Sequence, residues 1–411
     1  MIKHIVWRPL GRVLFDHRLA FEEMPFPQAV SMFGMALTFT HSKRYFPLTK
    51  AYDWGRFAAK EEPVVRLGVL GGTAQSAGMF MTSTKKHPRA SLLAVGSRTP
   101  ERGEACAQKY GIPRACAPYQ RLLDDPEIEA VVVFCPISTH AHWIPQILDA
   151  GKHAFLIPPI AANTPQLRRV LADHRARHPE LLCVSAYAAL AHPVNHHMRQ
   201  LIREGAVGEV RRIGIRARWP PHAFHPDSIQ FNYALAGGAW EDLGPHVVTL
   251  ARFLLDDTPR QGGVAPFSVV SAAPVCCPSD HRVDETMRTT LRLGDVQVDL
   301  EVSFTLSMDT SMEVEGTRGT LHQTQWYRAE LFNRLVHRRA DGAVLSVWEH
   351  RGRDRAHGRA SWEYLLDHVV DAVRADVPPP MGSGEEELRT MEIIDAVYQA
   401  SGLGVRCPSE S

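Results

Sequence analysis

Val65-Arg66-Leu67-Gly68-Val69-Leu70-Gly71-Gly72-Thr73-Ala74-Gln75-Ser76 is the stretch that decides the fold. Its first half is a short apolar run closed by glycine, the pattern of a strand buried on both faces of a parallel sheet. The second half is a glycine turn opening a helix. Such a turn receives a pyrophosphate: glycines give the tight bend, let the backbone approach the phosphates and let the helix pack close, while the helix N-terminus favours the anion. Gly71 holds the first glycine place, followed by Gly72. Thr73 stands at the second and Ser76 at the third, so Thr73 puts a side chain where a pyrophosphate would lie.

Outward from this turn, strand and helix alternate. Ser91–Gly96 reads as a second strand. Thr99-Pro100-Glu101 then starts a helix, with Thr as cap, Pro in the first turn and Glu at the positive end, and Gly111 stops it. Glu129–Phe134 and His153–Leu156 are further strands around a helix at Trp143–Ala150. Asn163-Thr164-Pro165 caps a helix to about His178, and Leu181–Ser185 is another strand. This rhythm predicts a doubly wound parallel sheet. After Ala186 it changes: helices at Pro193–Glu204 and Trp240–Leu255, a strand at Glu209–Trp219, strand-like runs at 268–272, 286–293, 296–306 and 311–314, then helices at 362–374 and 385–398. The expectation is an α/β chain: an N-terminal Rossmann doubly wound parallel sheet plus a C-terminal α+β domain with an open mixed, largely antiparallel sheet. The expected divisions are an extension at 1–63, the nucleotide domain at 64–186, a substrate and dimerisation domain at 187–404, and a frayed tail at 405–411.

Composition narrows the partners. The chain has 411 residues, 46 basic and 45 acidic, for a net charge of +1. That balance gives no reason to expect nucleic acid or a membrane surface. No apolar run is long enough to span a bilayer. Residues 1–63 are too acidic for a transit peptide and lack the apolar core of a signal peptide. Seven cysteines in no disulfide or zinc spacing point to a reducing, cytoplasmic setting. His196-His197 and His222-Ala223-Phe224-His225 form no tight ligand set with Asp242 and His246, so no metal is expected.

The stretch from Val64 to Gly404 resembles the glucose–fructose oxidoreductase/inositol dehydrogenase (Gfo/Idh/MocA) family. Leu235-Ala236-Gly237-Gly238-Ala239-Trp240-Glu241-Asp242-Leu243-Gly244-Pro245-His246 is similar to its glycine-rich turn followed by Asp-x-Gly-x-His, nearest in wording to the dihydrodiol and xylose dehydrogenase-like branch. Glu315-Gly316-Thr317-Arg318-Gly319-Thr320 resembles its Gly-Thr-x-Gly-Thr turn, and Met391 to Tyr398 its closing helix. The resemblance implies a nicotinamide dinucleotide, a small-molecule substrate, and a homodimer formed through the second sheet. It places Pro136 and His140 of Pro136-Ile137-Ser138-Thr139-His140 near the nicotinamide; alternatively His140 only caps the next helix. Asp242 and His246 lie i, i+4 on one helix face, and the resemblance makes them the catalytic pair. Tyr187, His192 and Tyr233 are candidates to line the same cleft, with Trp219, His222 and His225.

Departures from the family pattern matter as much. Ile157-Pro158-Pro159 stands where the family carries Glu-Lys-Pro. Proline has neither a side-chain donor nor an N–H. Ala189 and Leu190 replace an aromatic and an arginine before His192-Pro193. At the end of the second strand, Ser97-Arg98 stands where NAD readers carry an acid, which favours NADP over NAD. Two readings follow: an NAD(P)-dependent oxidoreductase of secondary metabolism in which Asp242 and His246 act without the lysine, or a redox-inactive cyclase, isomerase or lyase of a natural-product pathway. A third, a dinucleotide- or metabolite-sensing protein, has no sequence feature naming its partner.

Overall fold

A computed structural model describes residues 64–72, 75–225, 227–255, 266–329, 333–349, 359–375 and 382–408. Expectations about residues 1–63 and about Thr73 lie outside them. The first half runs β1 (Val65–Leu70), α1 (Gln75–Lys86), β2 (Ala90–Gly96), α2 (Pro100–Tyr110), β3 (Arg114–Cys116), α3 (Gln120–Leu123), β4 (Ala130–Val133), α4 (His140–Asp149), β5 (His153–Leu156), α5 (Thr164–Arg177) and β6 (Cys183–Ser185). Its six strands are parallel in the order β3-β2-β1-β4-β5-β6. This is the doubly wound order, whose switch point between β1 and β4 opens a crevice at the carboxyl ends of the strands. Gly71, Ser97, Pro136, Pro158 and Tyr187 all follow strand ends on that rim.

The second half adds α6 (Ala188–Ala191), α7 (Pro193–Arg203), β7 (Val210–Arg218), α8 (Ala239–Leu254), β8 (Phe267–Cys277), β9 (Asp280–Leu293), β10 (Val296–Ser303), β11 (Met312–Gly316), β12 (Gly319–Gln323), β13 (Arg334–Arg339), β14 (Val344–Glu349), α9 (Ser361–Ala375) and α10 (Gly384–Ala400). The eight strands run β14-β13-β12-β11-β7-β10-β9-β8, with β7 parallel to β10 and the other pairs antiparallel. One face is apolar: Ile213, Ile215 and Ala217 of β7 and Val298, Leu300 and Val302 of β10 are buried, and α8 lies against both strands with Leu243, Val247, Leu250 and Leu254. Each such side chain contributes about 1.5–3 kcal/mol by leaving water. From the same helix the His246 ring reaches Tyr187, which follows β6 of the first sheet.

Three expectations change. The tail does not fray through residue 408: Arg406 is fully buried, because its guanidinium meets the equally buried Asp284 at 2.7 Å. Helix α9 does not keep to the second half. Leu365, Leu366, Val369 and Val370 share a core with Val65, Leu67, Val69 and Phe80, so the chain returns to cover the first sheet. Thr99 sits at the N-cap of α2 in extended conformation, but its side chain makes no capping bond. Asn163 does cap α5 as expected, accepting from the Gln166 amide at 2.8 Å.

Candidate active site

The crevice is shaped first by the turn after β1. Gly71 has φ +81°, and a Cβ there would lie 2.8 Å from the Phe134 carbonyl carbon and 2.9 Å from the Cys135 nitrogen. Only glycine fits, because the left-handed conformation and the main chain after β4 both forbid a side chain. Gly72 packs on Val95. Ser97 is buried, its amide bonded to the Cys116 carbonyl at 2.9 Å. Beside it Arg98 is exposed and forms none of the ion pairs among the described residues. Gly71 and Gly72 at a switch point, beside a buried hydroxyl and an exposed guanidinium, fit a phosphorylated dinucleotide. Gly71 and Gly72 would hold the pyrophosphate, and Ser97 and Arg98 the adenosine end.

His140, expected near the nicotinamide, is fully buried at the start of α4. Its Nδ1 lies 2.9 Å from the Pro159 carbonyl and its Nε2 3.0 Å from the Cys135 carbonyl. The ring therefore does not cap α4, whose N-cap is Thr139. Instead it ties the loop after β4 to the loop after β5. Burial pulls its pKa down, and the two carbonyls oppose that by favouring a second N–H. The residue between those loops, Ile137, packs with Ala162 and with Ala236 of the second half. Pro136 is half-buried at the N-cap of the short 3₁₀ turn Ile137–Thr139.

From the second half, α8 presents His246 and Asp242. The imidazole of His246 sits edge-on between two phenol rings, 5.5 Å from Tyr187 and 5.3 Å from Tyr327, and Trp219 lies 5.7 Å beyond Tyr327. Its Nδ1 is buried with no hydrogen-bond partner among the described residues. Burial lowers its pKa to about 4, so the ring is neutral at physiological pH. Burial raises Asp242 to about 6. No hydrogen bond joins the two among the described residues, and neither figures among the causes of the other's shift. They share a face without forming a coupled dyad. The site thus offers a neutral imidazole and, one turn away, a carboxyl that holds its proton nearly to neutrality.

The three substrate candidates separate. Tyr187 reaches His246 with its ring, while its hydroxyl turns the other way and donates to Glu387 Oε2 at 2.9 Å. His192 is fully buried at the N-cap of α7, 5.2 Å from the ring of Tyr364 on α9. Tyr233 is occupied by two guanidinium groups, Arg282 at 4.4 Å and Arg406 at 5.3 Å. Two residues not expected at the site are Tyr327 and Glu387, and two further buried acids lie at the start of α8: Asp284, which accepts from the Trp240 amide at 2.7 Å, and Glu241. Tyr327 lies in a turn with no motif. Glu387, in Glu385-Glu386-Glu387, reads as a solvated acidic helix start. Glu241 is fully buried at the start of α8, with both carboxyl oxygens lacking a partner among the described residues. Burial raises its pKa well above the ordinary value, and the charge of Arg406 opposes the rise.

A parallel doubly wound domain with a glycine turn at its switch point, joined to an open mixed sheet covered by the helix that carries Asp242 and His246, is the architecture of a two-domain nicotinamide oxidoreductase. Residues 65–184 match the oxidoreductase family with an NAD-binding Rossmann fold, and residues 195–322 match the GFO/IDH/MocA C-terminal domain. The chain is 32% identical over 373 residues to a dTDP-3,4-didehydro-2,6-dideoxy-α-D-glucose 3-reductase of Saccharopolyspora spinosa, covering 83% of this chain and 98% of that protein. It is 25% identical over 334 residues to the trans-1,2-dihydrobenzene-1,2-diol dehydrogenase of Oryctolagus cuniculus, covering 80% and 96%. Its fold is similar to a 3-ketoreductase from Actinomadura kijaniata solved with NADP and TDP-benzene, with a TM-score of 0.71, 23% identity, and 82% and 98% coverage. The chain belongs to the Gfo/Idh/MocA oxidoreductase family, and its first half is that family's NAD-binding Rossmann domain. None of its described helices is long and apolar enough to cross a membrane.

Proposed function

We propose that this protein is an NADP-dependent reductase of a carbonyl on a small, sugar-like molecule, with the α8 face in place of the family's lysine. The observation that carries this reading is His246: a neutral imidazole with an unpartnered buried Nδ1, set between two phenol rings where the second half meets the rim of the nucleotide domain. A dinucleotide held by Gly71, Gly72, Ser97 and Arg98 would supply hydride for the carbonyl carbon. The chain must then hold the carbonyl oxygen and deliver a proton to it. Pro158 has nothing to donate. His246 can bond that oxygen through a ring N–H, and Asp242, protonated up to about pH 6, is the nearest acid on the same helix face. The relatives named as sugar 3-reductases support a ketosugar as substrate class. A natural-product pathway fits the same relatives.

Titration of the protein with NADPH and with NADH, followed by nicotinamide fluorescence, tests the cofactor. NADPH is expected to bind more tightly, and Arg98→Ala to weaken NADPH about 10-fold or more while leaving NADH nearly unchanged, the cost of one charge-assisted phosphate contact. No binding of either at millimolar concentration would sink the reading. The cleft around His246 would then be read as a non-redox site for a cyclase, isomerase or lyase, in keeping with Ile157-Pro158. The protein is further proposed to form a homodimer through the open face of the eight-stranded sheet, where Arg212 bridges Asp299 and Glu315 and Arg218 bridges Glu301 and Asp309. Sedimentation equilibrium is expected to give a dimer that Arg212→Glu weakens; a wild-type monomer at tens of micromolar would reject it.

A further inference from the structure

Glu387 lies at a junction that the sequence does not announce. Its carboxyl is almost fully buried, yet belongs to a helix from the far end of the chain. Oε2 accepts from the Tyr187 hydroxyl at 2.9 Å, and Oε1 accepts from the Ile160 amide at 3.3 Å. Ile160 is two residues past Pro158, and Tyr187 is two residues past β6. The same carboxylate therefore bonds two neighbouring strand-end loops on the rim. Tyr187 then meets His246 edge-on at 5.5 Å.

The local fold is built to bring this acid in. The Gly382 carbonyl accepts from the Ser185 amide at 2.9 Å, so the chain before α10 runs alongside the end of β6. Gly382 has φ +95°, and a Cβ there would lie 2.6 Å from the Ser185 carbonyl oxygen. Only glycine permits that approach, which starts α10 close enough for its first turn to reach the rim.

We propose that Glu387 is a positioning residue for His246: its carboxylate fixes the Tyr187 hydroxyl, and the Tyr187 ring transmits the carboxyl's protonation state to the imidazole. The chemistry of a carboxyl supports this. When ionised it accepts from both Ile160 and Tyr187. When protonated, one oxygen gains a hydrogen to donate, which the Ile160 amide cannot accept; donated to the Tyr187 oxygen, it reverses that bond and frees the Tyr187 hydrogen. The Tyr187 hydroxyl then has Thr249 of α8 as its alternative partner. Thr249 is one turn from His246 and bonded to Thr390 at 3.0 Å, and Arg252 donates to Thr390 at 2.9 Å. Burial raises Glu387 to about 7, against the hydrogen bonds of Ser185, Tyr187 and Ile160 and the charge of Arg252. Both forms are thus populated at neutral pH. Cys183 of β6, whose thiol feels the Glu387 charge, is raised to about 12 by burial and stays neutral. Among the described residues the titratable groups against the His246 ring are Tyr187 and Tyr327, and Asp242 lies one turn away on the same helix.

This rests on His246 as the acid–base group, but its test needs neither cofactor nor substrate. The ring nitrogens of His246 are followed by NMR across neutrality in cofactor-free protein labelled with ¹⁵N-histidine, and are assigned with His246→Gln. His246 itself titrates far below, at about 4. The expected result is an inflection in its shifts near pH 7, lost in Glu387→Gln. Tyr187→Phe keeps the carboxyl but cuts the link, and should also lose it. An inflection near 6 that survives both variants belongs to Asp242 and overturns the proposal if it is the only one seen. Persistence of the neutral inflection in folded Tyr187→Phe overturns it as well, whether or not NADPH is oxidised. A purely structural role for Glu387 would move stability but not that inflection.

Discussion

At Asp242, burial alone sets the titration, and the sign of its effect on stability follows. The ordinary value of 3.8 is raised to about 6 in the fold. Between those values the native state holds a proton that the unfolded chain has lost, so stability falls as pH rises through that window and stays lower above it. Asp242→Asn removes this penalty. It is expected to raise Tm at about pH 8 and to leave Tm nearly unchanged below about pH 4, where both states are protonated. Equal Tm shifts at both pH values would show that the side chain acts through packing instead. If Asp242 is the proton donor, the same variant also removes the loss of kcat/KM above about pH 6. That Asp242 and His246 share a helix face and that Gly71 turns the chain after a strand could be read from the sequence, because each belongs to a local motif: an i, i+4 pair, or a strand–turn–helix. Glu387 and Tyr327 could not, because their relation to His246 is made by the fold. Glu387 is more than a hundred residues away in sequence, in a run of three acids that no local rule distinguishes from a solvated helix start.

At the scale of elements, the last residues act as a clasp. Arg406 bonds Asp284 Oδ1 at 2.7 Å, and its carbonyl accepts from Asn163 Nδ2, the residue that caps α5 in the other half, at 2.6 Å. Burial pushes the Asp284 pKa up, and Arg406, the Trp240 amide and the Tyr398 hydroxyl pull it back. Removing one member of such a pair strands the other. Arg406→Met is expected to cost about 3–5 kcal/mol in urea unfolding, and Arg406→Met/Asp284→Asn to recover much of that loss. A cost below about 1 kcal/mol for the single variant would mean that the pair is solvated and the clasp is absent. The same contrast explains which elements the sequence displayed. β5 was readable to the residue, because a parallel strand buried on both faces is a plain apolar run between turn signals. β13 and β14 were not: Val344, Leu345 and Val347 are exposed at the sheet edge, so no alternation marks a covered face. The tail carries one arginine among small and polar residues, and nothing local says that it is buried.

On the scale of the whole molecule, α9 is the strap that makes two halves one body. It lies on α1 and α6, beside β-sheet residues of the first half, and it faces α7 of the second through a pair of histidines, His196 and His368, with ring centres 6.5 Å apart. Burial lowers the pKa of both, and the nearness of His368 and Arg199 lowers His196 further. Asp367 and Asp371 pull His368 the other way. Asp367, held to about 2, stays ionised and is engaged by His87 at 2.8 Å and Arg359 at 2.6 Å. A histidine whose folded pKa lies below its ordinary 6.5 binds fewer protons in the native state, so stability is present above that value and lost as pH falls through it. Two such groups facing each other would also repel once charged. The strap should therefore loosen on mild acidification. Tm is expected to drop between about pH 8 and about pH 5, and His368→Gln, which keeps a polar side chain but cannot charge, should make that drop shallower. Hydrogen exchange should place the wild-type opening in α9, with the α8 amides still protected at the lower pH. If the acid drop is as steep in His368→Gln and in His196→Gln as in the wild type, the pair is not its source, and the acid sensitivity belongs to another buried group.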